Sequence, residues 1–188
     1  MEKILLFVFA VISVNILVFF LIPNSSIFMF NLNDFVREPW RYLTFQFFHT
    51  NTLHLIENIV GLLFVGFLAK ELDISFKTFL IVYFVSVFII PIPLSIIFSQ
   101  STVAGNSMGI FGVLGFALIK GRKLIPQKIS IPMFLFFIFS LSIFKFVSCG
   151  MCYEEVFKSD AFHFCGFVCG VLVTFVPQPK AKQILRVS

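Results

Sequence analysis

An apolar run that is too short for its surroundings constrains this chain most. From Ser107 to Ile119 the sequence reads SMGIFGVLGFALI, then turns basic at Lys120-Gly-Arg-Lys123. About 13 helical residues cover about 20 Å, well short of a hydrocarbon core of about 30 Å. The chain's other apolar runs are near full crossing length, so this one must begin inside the bilayer. Non-helical backbone at that depth is tolerated only where it is buried in protein or lines a water-filled cavity. The residues that enter the short run, Ala104-Gly-Asn-Ser107, form a glycine-bearing turn that puts a serine hydroxyl on the first helical turn.

Composition decides the class. The 188 residues are 59% hydrophobic and 12% charged, about half the charge of a soluble domain. The expected fold is an all-α membrane protein, a bundle of six transmembrane helices forming one domain over residues 1–188. The spans read as about 4–22, 52–70, 78–98, 107–119, 129–147 and 159–176, with a short central fourth helix. Ile4 to Ile22 is too long for a signal-peptide core and reads as a retained span. Pro91 and Pro93 should kink the third helix. The connection Pro23–Asn51 is rich in Phe28, Phe30, Phe35, Trp40, Tyr42, Phe45, Phe47 and Phe48 and carries Asp34, Arg37, Glu38 and Arg41. It reads as a membrane-interfacial loop with its apolar side down.

Basic residues divide unevenly between the two sides. Lys3, Lys70, Lys77, Lys120, Arg122, Lys123, Lys128, Lys180, Lys182 and Arg186 fall on one, and Arg37, Arg41, Lys145 and Lys158 on the other. Ten against four places both termini in the cytoplasm, so helices 2, 4 and 6 run from outside to inside. The chain reads as an integral protein of a bacterial cytoplasmic membrane. The net charge of +5 resides in short loops and ends, and no nucleic-acid partner is expected.

Polar residues inside spans are costly and default to functional hypotheses. Counting back from the inner ends, Ser107 lies 13 residues before Lys120, His163 14 before Pro177, and Asn58 12 before Lys70. These correspond to depths of about 20, 21 and 18 Å, with His54 one turn further out. Three parallel helices thus offer Ser, His and Asn at one level. Gly166 and Gly170 share a helix face with His163, and Gly109 and Gly112 offer a smooth face just after the serine. Small-residue faces let helices 4 and 6 approach closely in lipid. A serine hydroxyl is a weak nucleophile that needs a base within hydrogen-bond reach, and His163 can be that base. The oxyanion of an acyl transition state needs preorganised donors. The helix-4 N-terminus offers the backbone N–H at Ser107, and His54 and Asn58 add side-chain donors. Phe111, one turn on, can pack on the imidazole.

Taken in order, these residues resemble the rhomboid intramembrane serine proteases, in their minimal six-helix form. Glu38-Pro-Trp40-Arg41 resembles the first-loop motif, and His49-x4-His54-x3-Asn58 the second-helix signature. Gly105-Asn-Ser107 is similar to the start of the family's Gly-x-Ser-Gly motif. Asp160-Ala-Phe-His163-x2-Gly166-x3-Gly170 resembles the sixth-helix pattern. The resemblance, over about residues 38 to 170, implies a Ser107–His163 dyad without a third acid. It also implies oxyanion support from His54 and Asn58, and substrate access between helices 2 and 5. Substrates would be single-span membrane proteins cut in or near the bilayer. His49 would be structural, and no cofactor or metal is implied. Two residues depart from the pattern: Met108 stands in place of the motif's second glycine, and Glu57 is an unusual ionisable residue near the presumed gate.

Other readings stand beside these. Glu38 and Arg41 read as an ion pair holding the loop, Asp160 as the N-cap of helix 6, and most phenylalanines as lipid-facing. Cys149 and Cys152 are spaced for a local disulfide or two free thiols, while Cys165 and Cys169 read as packing residues. A rhombosortase-like enzyme acting on C-terminal sorting tails is an alternative within the resemblance. A non-proteolytic relative that escorts membrane clients is another, although such proteins typically lack the serine or histidine. A transporter is disfavoured, because no span has an inverted counterpart. The oligomeric state is open.

Overall fold

In lipid no water satisfies an exposed backbone N–H, so the apolar runs become helices and irregular backbone is confined to the protein's interior and edges. The computed structural model describes residues 2–22, 24–98, 101–123 and 152–176, together with Pro132, Ser142, Ile143 and Phe146. Among the described residues the long helices are α1 (Glu2–Leu21), α2 (Thr52–Glu71), α3 (Phe76–Ile97), α4 (Ser107–Lys120) and α5 (Tyr153–Val173). All but α4 are long and apolar enough to cross a membrane. This is an all-α membrane protein. Of the expected span 129–147 only Pro132, Ser142, Ile143 and Phe146 are described, so α5 is the sixth helix of the sequence reading.

Local chemistry sets the helix ends. The Asn51 side chain caps α2 by accepting from the His54 N–H at 2.9 Å, and Ser75 caps α3 by accepting from the Thr78 N–H at 3.1 Å. Between them Asp73, at φ +50°, turns the chain back on itself. Pro91 and Pro93 lack N–H groups, so the carbonyls of Val87 and Ile89 lose their helical donors. Helix α3 breaks there into Phe76–Ile89 and Pro91–Ile97, and the nearby Phe88 carbonyl takes the Tyr42 hydroxyl of the first loop.

Helix α4 is the centre of the bundle. Met108 to Ala117 are all buried, whereas α1 turns Leu6, Phe9, Leu17 and Phe20 outward to lipid. It packs most closely on α5 and also against α3 and α2. A Cβ on Gly170 would strike the Gly112 carbonyl, and one on Gly166 would stand 2.7 Å from the Met108 carbonyl. The expectation that Gly109 faces helix 6 is corrected: a Cβ on Gly109 would meet Tyr83 and Val87 of α3, each at 2.7 Å. Successive glycines three residues apart drift around a helix by about 60°, so Gly109, Gly112 and Gly115 cannot all serve one neighbour. Gly112 sits between Ser86 and α5, and Gly115 abuts Phe167 of α5.

Two further expectations change. Helix α5 begins at Tyr153, not near 159, because Glu154 and Glu155 suit a helix N-terminus and pair with Lys158 at 2.7 and 3.3 Å. Asp160 is therefore two turns inside the helix and is no cap. Its carboxylate accepts from the Ser142 hydroxyl at 2.7 Å. In the first loop, Phe30, Phe45 and Phe48 are buried within the protein, so part of the aromatic run forms a small core of its own. Phe30, Phe35, Tyr42 and Phe45 pack ring against ring, and Phe28 stacks on Phe48. Ile27, Val36, Trp40 and Leu43 are the loop's large apolar residues left exposed.

Candidate active site

The turn before α4 is held by the first loop. Strand β1 (Phe30–Asn31) pairs antiparallel with β2 (Thr102–Val103), matching Phe30 with Val103 and Asn31 with Thr102. Three residues on, the Gly105 N–H donates to the Phe45 carbonyl at 3.0 Å. Gly105 has φ +85°, where L side chains are strained, and a Cβ there would lie 2.8 Å from His54 Nε2. Glycine thus lets the turn press against α2 and leaves Ser107 as the first residue of α4. The N–H groups of Gly109 and Ile110 both close on the Asn106 carbonyl, so those of Ser107 and Met108 precede the first helical bond.

The Gly166 and Gly170 contacts bring α5 against this helix start, and His163 of α5 points at the serine. Ser107 Oγ and His163 Nε2 are 3.0 Å apart. The Phe111 ring stacks on the imidazole with centroids 4.5 Å apart and planes 16° from parallel. His163 is buried, which suits a stacked ring with one fixed orientation.

Helix α2 supplies the opposite wall. His54 Nδ1 lies 3.3 Å from the Thr50 hydroxyl, and its Nε2 side faces Gly105. The Asn58 amide donates to the His54 carbonyl at 2.8 Å. An amide nitrogen has two hydrogens, so a second donor remains beside the Gly105 turn. His49 is buried outside the helix, its ring edge-on to His54 with centroids 5.1 Å apart. Burial, only partly offset by a backbone contact at Phe47, lowers the His49 pKa to about 4. Arg41 pairs with Glu38 and reaches Asp34 at 3.7 Å, with Trp40 adjacent, so these first-loop residues brace the loop away from the serine.

Ser107, His163 and His54 open onto a cavity of about 470 Å³, walled also by Met29, Thr50, Glu57, Val103, Met108, Phe162, Glu155 and Lys158. Beneath it a second hollow of about 20 Å³ lies among His54, Glu57, Asn58, Gly61, Ser107, Ile110, Phe111 and His163. Met108 is 1% exposed, so its side chain is packed into the protein beside Ser107. Among the described residues no three His, Cys, Asp or Glu side chains converge as a metal ion would require. Cys149 lies outside the described residues, as does any pairing it makes with Cys152. Sequence reasoning missed Thr50, Gly61, Gly115 and the Phe45 carbonyl. The last has no side-chain signature, whereas Gly61 and Gly115 could have been found by extending the small-residue search along α2 and α4.

The protein-family model described as the Rhomboid domain matches residues 36–179, about three quarters of the chain. No curated protein matches it.

Proposed function

This chain belongs to the rhomboid family of integral membrane proteins, and we propose that it is an active serine endopeptidase, one domain over its whole length, cutting single-span membrane proteins. The carrying observation is the 3.0 Å approach of Ser107 Oγ to His163 Nε2 at the floor of a cavity that also reaches a polar face of α2. His163 takes the hydroxyl proton as Ser107 attacks the scissile carbonyl. Negative charge then collects on the carbonyl oxygen. The N–H groups of Ser107 and Met108, the His54 ring and the Asn58 amide lie where they can receive it. In the tautomer in which the Thr50 hydroxyl donates to Nδ1, the His54 proton is on Nε2, the side that faces the Gly105 turn. The protonated His163 next gives its proton to the departing amine. Water entering by the cavity is deprotonated by the same imidazole and releases the acyl group from Ser107. Phe111 holds the ring in register through both halves.

The charge bias of the loops supports an orientation with both termini in the cytoplasm and the cavity opening toward the outer side of a bacterial cytoplasmic membrane. The test is cleavage of a single-span substrate by purified protein in lipid, compared with Ser107→Ala. The expected result is a defined cut in or near the span that disappears in the variant. Equal cleavage by both proteins, or none by either across varied substrates, overturns the reading.

A further inference from the structure

Tyr83 of α3 is 0% exposed, and its ring is held between α1, α3 and α4. It stacks on Phe79, meets Phe7 of α1 edge-on with centroids 5.6 Å apart, and lies against the first turn of α4. A Cβ on Gly109 would stand 2.7 Å from both Tyr83 Cδ2 and Cε2. Glycine at 109 thus admits the ring, and the Tyr83 hydroxyl faces the Asn106 side chain. Asn106 is also 0% exposed. No other group among the described residues closes a hydrogen bond to the hydroxyl or to the amide, and the two stand short of full hydrogen-bond geometry with each other. The Asn106 side chain does not cap α4. Its backbone carbonyl does accept from the N–H groups of Gly109 and Ile110, at 3.0 and 3.3 Å. The trans peptide joining Asn106 to Ser107 therefore points its oxygen into the helix and the Ser107 N–H out of the helix end.

We propose that Tyr83 is a positioning residue: by hydrogen bonding to the Asn106 side chain it holds the Asn106–Ser107 peptide so that the Ser107 N–H meets the oxyanion. The inference rests on the proteolytic reading and adds to it a residue of α3, behind the site. Hydroxyl and amide each donate and accept, so the pair can close in either direction. Leaving both unpaired in the interior of a membrane protein is costly, which favours the closed pair over rotation of either group away. Tyr83 does not line the cavity, so its effect reaches the substrate only through the turn. Hydrogen bonds weaken steeply as the donor tilts, so a small rotation of this peptide is felt where the charge develops.

The experiment measures kcat and KM on one single-span substrate in lipid for wild type, Tyr83→Phe, Asn106→Leu and the double variant. Phenylalanine keeps the ring, and leucine keeps roughly the volume of the amide. Each single variant should lower kcat about three- to tenfold with KM within about twofold of wild type, because substrate binds before the charge forms. The double variant should be no slower than the slower single, since either change removes the same bond. Wild-type kcat in Tyr83→Phe, a loss carried by KM, or losses that multiply in the double variant each overturn the inference alone. Absence of Ser107-dependent cleavage by wild type overturns the proteolytic reading and this inference with it.

Discussion

Gly166 of α5 lies so close to the Met108 carbonyl of α4 that a Cβ would stand 2.7 Å from the oxygen. That approach lets His163, one turn earlier on α5, reach Ser107, one residue before Met108. A leucine at 166 must push the helices apart, an overpacking cost of at least about 1–3 kcal/mol. Gly166→Leu should therefore abolish cleavage although it removes no catalytic atom. Wild-type cleavage by a monodisperse, helical Gly166→Leu protein would contradict the packing account.

The Phe111 ring stacked on His163 should be worth about 0.5–1.5 kcal/mol of imidazole positioning. Phe111→Ala should lower kcat by about two- to tenfold and leave KM close to wild type. Steady-state kinetics on one substrate decide it. A raised KM with unchanged kcat would make Phe111 a substrate contact instead.

In the proposed mechanism the donors on α2 act only as charge develops, so their loss should fall on kcat. His54→Ala is expected to cost about 10²-fold or more, the scale for removing one oxyanion donor. Gly105→Ala should approach the same loss indirectly, because its Cβ would stand 2.8 Å from His54 Nε2 at a backbone φ of +85°. Single-turnover rates separate these effects from binding, and an unimpaired His54→Ala enzyme would remove His54 from the oxyanion site.

His49 gives a pH dependence with a definite sign. Burial lowers its pKa from the ordinary 6.5 to about 4 in the folded protein. Between those values the unfolded chain binds a proton that the folded protein does not. Stability is therefore fully present above pH 6.5 and falls as pH drops toward 4, by up to about 3 kcal/mol. Melting in detergent from pH 7.5 to 4.5 should show this slope, and His49→Gln should flatten it. Identical slopes for the two proteins would count against a buried neutral His49.

Much of this arrangement was legible because two regularities hold in membranes. Helical rise converts residue counts into depth, and loop charge gives direction, so Ser107, His163 and Asn58 could be set at one level before any packing was known. Azimuth was harder to read. Gly109 belongs to α3 rather than α5 because side-chain direction drifts along a helix, and no count from a helix end captures that. The β1–β2 pair has two residues per strand, too few for any alternation to register. The burial of Phe30 and Phe45 was likewise hidden, since aromatic residues in an interfacial loop look alike whether they face lipid or each other. Asp160 was misread because the acidic turn at Glu154-Glu155 had already started the helix.

The pairing of Ser107 with His163 is tested most directly by an active-site-directed fluorophosphonate, with the adduct located by mass spectrometry of the intact and digested protein. A serine is phosphonylated rapidly only when a nearby base activates it. The account predicts one adduct, on Ser107, lost in Ser107→Ala and reduced at least about 10²-fold in rate in His163→Ala. An adduct elsewhere, or labelling of Ser107 at an unchanged rate in His163→Ala, would contradict it.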